Sequence, residues 1–178
     1  MVNKKLRRQL WPLFGVIGTC MCLLGCIPQL ALQQKTPLKV GVLANCDLGQ
    51  KKLSEPKSHH CAEHLGLELI PLISEDEKRF GLMYVTELAN NQGVVLMYET
   101  EAKRSIWMRN MKIAIDVLFV NSQGQVVQTY EKVPPCPEDL VNCPLYSADQ
   151  AQYVIEVRSG FLQQQNIDWG RSLIVFKP

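Results

Sequence analysis

From residue 38 onward the chain alternates short apolar runs with polar punctuation, and most of the runs carry the two-residue period of strands. "LKVGVLA" (38–44) reads as a short strand, followed by a polar, turn-rich stretch that ends near residue 65. "GLELIPLI" (66–73) is the first core strand, and Pro71, which has no N–H to donate, predicts an edge or a bulge there. "SEDEKRFGLMYV" (74–85) begins as a helix. Ser74 supplies the N-cap and Glu77, three residues on, completes a capping box, giving a short helix to about Met83.

Beyond it, the runs at 94–98, 104–108, 115–120, 126–133, 153–157 and 172–176 are short and rich in β-branched or aromatic residues. "NSQG" (121–124) is a turn, and "GFLQQQNIDWG" (160–170) has room for one helical turn. The pattern predicts a mainly β fold with one or two short helices (α+β). The expected architecture is a compact single-domain β-barrel or sandwich of short, mostly antiparallel strands.

The first residues follow a different pattern. Lys4, Lys5, Arg7 and Arg8 precede an uncharged run from Leu10 to Cys26 that ends in "LLGC". This resembles the lipobox of bacterial lipoprotein precursors, in which a small residue (here Gly25) precedes a cysteine that is acylated and becomes the first mature residue. Leu24 is a less usual neighbour for that glycine. The alternative is an uncleaved signal anchor, since roughly 17 to 25 apolar residues can cross a bilayer. Basic residues ahead of the run keep the N-terminus cytoplasmic, so both readings export the rest of the chain. The expected organisation is a signal peptide (1–25), a tether after acylated Cys26 (26–37), a strand with a cysteine/histidine loop as an extension (38–65), and a β-rich domain (66–178). The domain is then expected in the periplasm or on the outer face of the cytoplasmic membrane, held by a lipid anchor at Cys26.

This address changes the charge reading. Four of the 19 Lys and Arg leave with residues 1–25, so 15 basic residues face 17 acidic ones. No basic patch interleaved with aromatics remains, and no nucleic-acid partner is expected. Cys20 and Cys22 lie in the signal, which leaves Cys46, Cys61, Cys136 and Cys143, an even number in an oxidising compartment. Three pairings are formally possible. Proximity favours Cys46 with Cys61 and Cys136 with Cys143. The latter would close the proline-rich "PPCPEDLVNCP", worth about 2.5 kcal/mol in chain entropy.

The runs "RFGLM" (79–83), "WMRNMKIAIDVLFVNSQGQVV" (107–127), "PPCPEDLVNCPLYS" (134–147) and "YVIEVRSG" (153–160) occur in an order that resembles the domain of unknown function 192 family, also called uncharacterised protein family 0127. The resemblance runs from Ser74 to the C-terminus and implies a small β-rich fold, often exported or membrane-tethered, with no agreed reaction. Met111 stands where that family usually has Thr, Ala114 where it has Pro, and "WGRS" replaces a glycine followed by an acidic residue.

Within "IWMRNMKIAIDVLFV" (106–120), strand alternation puts Ile113, Ile115, Val117 and Phe119 on one face and Ala114, Asp116, Leu118 and Val120 on the other. A covered Asp116 needs a cation or several hydrogen bonds. Arg79, Arg109, Asn110 and the Trp107 indole are the expected donors, which would make Asp116 a staple for the entry turn or part of a ligand pocket. Glu156 alternates to the face of Val154 and Arg158, where an ion pair is the simplest expectation. The candidate recognition surface is therefore Trp107, Met108, Asn110, Asp116, Arg79 and Glu156, bordered by the Cys136–Cys143 loop.

Other chemistry is thinner. His59, His60 and His64 cluster in "HHCAEH", and a helix would put His60 and His64 on one face, a spacing that suits zinc or copper; a solvated loop is the plainer reading. Met83, Met97, Met108 and Met111 are expected in the core. No GxSxG, phosphate-cradling glycine loop or histidine inside the domain is present, and no cofactor is expected. The leading expectation is a membrane-anchored envelope protein that binds a small ligand or an envelope protein without catalysis. Its rivals are a carboxylate-based envelope hydrolase acting on saccharide through Asp116 and Glu156, and a metal-handling module.

Overall fold

The computed structural model describes residues 32, 35–44 and 62–176. The strands are β1 (Leu38–Ala44), β2 (Ala62–Leu72), β3 (Gln92–Trp107), β4 (Ile115–Val120), β5 (Val126–Val133), β6 (Leu145–Arg158) and β7 (Leu173–Phe176). Two short helices, α1 (Glu75–Phe80) and α2 (Phe161–Gln164), and a 3₁₀ turn at Trp169–Arg171 complete the described elements. The strands form one sheet in the order β5-β4-β6-β3-β2-β1-β7. It curls until its ends touch: Gln125 bridges Leu173, and Ile174 N–H donates to the Gly124 carbonyl at 2.7 Å. The mainly β fold with short helices is as the alternation predicts.

All neighbouring pairs are antiparallel except β2 and β3. A parallel pair needs a crossover, and α1 with the turn after it provides one. Ser74 caps α1 through the Glu77 N–H, and the Glu77 carboxylate accepts from Ser74 N–H, so the capping box forms. The helix ends at Phe80, before the expected Met83, because Gly81 turns the chain at a φ of 49°.

Pro71 lies in a strand with neighbours on both sides, yet β1 pairs only as far as Leu69. Past that residue β2 is locally an edge, which is where a missing N–H costs nothing. Beside it, Lys35 donates to the Pro71 carbonyl at 3.0 Å and pairs with Glu77. That hydrogen bond, with two more from the Ile73 and Ser74 amides, holds the Glu77 carboxyl down to about 2.

Two segments expected as separate strands, 94–98 and 104–108, are one strand, β3, whose register slips between Met97 and Arg104. The exposed residues 99–103 carry no apolar period, so nothing in the pattern marks them as strand; they are carried by the pairing of β3 with the 14-residue β6. β1 lies between β2 and β7, with Val40 and Val42 fully buried.

The sheet has apolar residues on both faces. Leu118, Val120, Ile155 and Val157 pack with Phe161, Leu162 and Trp169 on one, while Ile115, Val117, Phe119 and Val154 pack with Leu82, Met108 and Met111 on the other. Cys136 and Cys143 form a disulfide with Cα atoms 5.7 Å apart, and Cys136 N–H fastens the loop to the Met108 carbonyl at 3.0 Å. The Cys136→Ser/Cys143→Ser double variant is expected to lose about 2 kcal/mol, read as a lower urea midpoint. Cys26, Cys46, Cys61, His59 and His60 lie outside the described residues.

Candidate functional site

Asp116 is fully buried, but none of its expected partners reaches it. Its Oδ1 accepts from Lys132 N–H at 2.8 Å and Gly160 N–H at 3.1 Å, and its Oδ2 from Leu162 N–H at 2.9 Å. The alternation explains the correction. Asp116 shares its face with Leu118 and Val120, whereas Met108 and Met111 of the 107–111 turn pack on the opposite side of the sheet. Asp116 therefore fastens β5 and the β6–α2 junction to β4, not the entry turn.

Glu156 stands opposite Val117 on β4, and Val157 stands opposite Asp116. The two carboxylates thus project from opposite faces and cannot share one scissile bond. The expected ion pair is missing as well: Arg158 donates instead to Gln164 at 3.2 Å. Glu156 is flanked by Val94 on β3 and Val117 on β4. It is 5 % exposed and its Oε2 is buried with no hydrogen-bond partner. Burial among these apolar neighbours pushes its carboxyl up to about 7.

Glu156 lines an open cleft of about 260 Å³ between α1, β3 and the 107–111 turn. Gly81 brings the end of α1 against the carboxylate: a Cβ there would lie 3.3 Å from Oε2, and the φ of 49° disfavours any side chain. Arg79 and Trp107 also line the cleft, as do Lys78, Phe80, Tyr98, Met111 and Leu145. Trp107 is 37 % exposed, with the Arg109 guanidinium 5.7 Å from its ring. Lys78 pairs with Glu75 at 2.7 Å and lies 4.5 Å from the Tyr98 ring, whose other close cation is Arg104 at 3.9 Å. Arg79 pairs with Asp76 at 3.0 Å.

Three of the six residues expected at the recognition surface, Arg79, Trp107 and Glu156, therefore meet at one cleft. The other three do not. Met108 is core, Asp116 lies across the sheet, and Asn110 sits in a left-handed turn (φ 59°) with its amide 3.7 Å from the Met83 sulfur. Sequence reasoning missed Lys78, Gly81, Tyr98 and Leu145. Gly81 had a signal, since it interrupts "RFGLM" at the helix end; Tyr98 and Leu145 depend on the β3–β6 register.

His64 lies in β2, an extended strand, so the helical spacing with His60 does not apply there. Among the described residues no three His, Cys, Asp or Glu gather where they could hold a metal. None of their helices is long and apolar enough to cross a membrane.

The fold is similar to that of a candidate transcription regulator from Sinorhizobium meliloti 1021, with a TM-score of 0.63 at 17 % identity over 80 % of this chain and 95 % of that one. It is also similar to a protein of unknown function from Novosphingobium aromaticivorans DSM 12444, with a TM-score of 0.59 at 19 % identity over 79 % and 85 %. At these identities the likeness is one of fold alone. No curated protein matches the sequence. The profile of domain of unknown function 192, described as an uncharacterized ACR, matches residues 67–175. The chain belongs to the DUF192 family.

Proposed function

We propose that this is a membrane-anchored envelope protein whose β-rich domain binds a small ligand in the Glu156 cleft and performs no chemistry of its own. The observation that carries the reading is Glu156 itself. A buried carboxyl oxygen without a partner, at the floor of an open cleft, is a group that calls for an external one. The half-exposed Trp107 and the exposed Phe80 and Leu145 around it offer apolar contact area of the kind ligand sites use. The separation of Asp116 from Glu156 across the sheet favours binding over acid–base hydrolysis. The basic start, the uncharged run and "LLGC" support acylation at Cys26. Residues 26–37 would tether the domain in the periplasm or on the outer face of the cytoplasmic membrane.

The two halves of this reading are tested separately. Radiolabelled fatty acid is expected to label the wild-type chain and not Cys26→Ser; label retained by the variant overturns the anchor. For the cleft, a small-molecule thermal-shift screen is expected to give compounds that raise the Tm of the wild type but not of Trp107→Ala, with circular dichroism unchanged. Compounds that act equally on both proteins place the site elsewhere, and conversion of a compound to product overturns the non-catalytic reading.

A further inference from the structure

We propose that the cleft takes a primary organic ammonium ion with an apolar or aromatic body, its N–H groups donating to the Glu156 carboxylate. This rests on the cleft being the ligand site. The cations at its rim are already matched, Lys78 by Glu75 at 2.7 Å and Arg79 by Asp76 at 3.0 Å. The carboxyl at its floor is not: Oε2 has no partner, and its cross-strand neighbours Val94 and Val117 have nothing to donate. A ligand that brings both a donor and a positive charge repairs both deficits. A hydroxyl can donate to the carboxylate but brings no charge to offset the one buried there, and an anion is repelled. A quaternary ammonium has no N–H to give.

The walls then select the body of the ligand. Ile106 and Met111 lie inside, and Phe80, Trp107 and Leu145 line the mouth. About 260 Å³ is just below the usual size of drug-sized ligand sites, which limits the ligand to a small amine carrying one ring.

An ammonium ion needs the ionised carboxylate, so affinity rises as pH climbs through about 7. The charged and titratable groups around Glu156 are Glu75, Lys78 and Arg79 from α1, Tyr98 and Arg104 from β3, and Arg158 from β6 itself; β4 offers only apolar residues on that face. Burial pushes the Tyr98 phenol above its ordinary range, away from this window.

Calorimetry on the full chain in detergent micelles tests the assignment with 2-phenylethylammonium, its neutral isostere 2-phenylethanol, and phenylacetate. The ammonium ion is expected to bind about tenfold or more tighter than the alcohol at about pH 8, and phenylacetate not at all. Glu156→Gln is expected to remove that advantage, and lowering the pH to about 5 to weaken ammonium binding by a factor on the order of ten to a hundred. Equal binding of alcohol and ammonium, or no binding of the ammonium ion, overturns the cation assignment. If the alcohol binds and Trp107→Ala abolishes it, the cleft still stands as a ligand site. Ammonium binding untouched by both Trp107→Ala and Glu156→Gln sinks the cleft as well.

Discussion

Asp116→Ala is expected to lower the free energy of unfolding by about 4 kcal/mol, enough to leave a domain of ordinary stability close to its unfolding threshold. The substitution strands three donors, the amides of Lys132, Gly160 and Leu162, which now bond to one carboxylate at 2.8 to 3.1 Å. Leaving a buried donor unmade costs about 1–3 kcal/mol. Two of these bonds act as a helix cap supplied from another strand: the N-cap of α2 is Gly160, which has no side chain with which to cap, and Asp116 takes the Gly160 and Leu162 amides instead. The third restrains Lys132, which sits at a φ of 51° that costs a non-glycine residue about 1–2 kcal/mol.

Asp116→Asn should lose less, about 2 kcal/mol, because one oxygen can keep the Lys132 and Gly160 bonds while the amide nitrogen meets the Leu162 N–H. Asp149→Ala, which removes an exposed ion pair to Lys103, should change stability by about 0.5 kcal/mol or less. Urea unfolding of the three variants is the measurement. A loss below about 1 kcal/mol for Asp116→Ala would show that water satisfies these amides, the buried Leu162 N–H included, once the carboxylate is gone.

The contrast between Asp116 and Glu156 shows where sequence stops. Periodicity placed Asp116 on the covered face with Leu118 and Val120, and the structure agrees. It could not name the partners, because they are backbone amides 16, 44 and 46 residues away, and a backbone amide leaves no trace in residue identity. The expected donors, Arg79, Trp107, Arg109 and Asn110, are polar side chains of the signature runs, and none of them reaches Asp116. Local signals fared better wherever the chemistry is local: the Ser74–Glu77 capping box and the Cys136–Cys143 bridge both form. The cleft is a product of long-range register. Glu156 meets α1 only because β6 lies between β4 and β3, an order that no short motif encodes.

Glu156→Gln is expected to remove a pH dependence of stability that the wild type carries between about pH 4.5 and 7. Unfolded, the Glu156 carboxyl takes up its proton near the ordinary 4.5; folded, burial moves that event to about 7. Between the two values the native state holds more protons than the unfolded chain, so stability falls as pH rises. The contribution is fully present below about 4.5 and lost above about 7, and the gap corresponds to about 3 kcal/mol. Glu77 acts with the opposite sign in a separate window. Its carboxyl is held down to about 2, so its contribution is present above 4.5 and fades only as the solution becomes more acid.

Glutamine matches the protonated acid in shape and never ionises. Wild type and Glu156→Gln should therefore be similar near pH 4.5 and diverge towards pH 8, where the variant is the more stable by up to about 3 kcal/mol. Urea midpoints across that range decide it: a wild-type profile that is flat or rising, or a variant with the same downward slope, would mean that Glu156 is compensated in the folded chain. A buried acid that lowers stability as it ionises near neutral pH contributes nothing to folding there, which is the strongest physical argument for looking for its partner in the cleft.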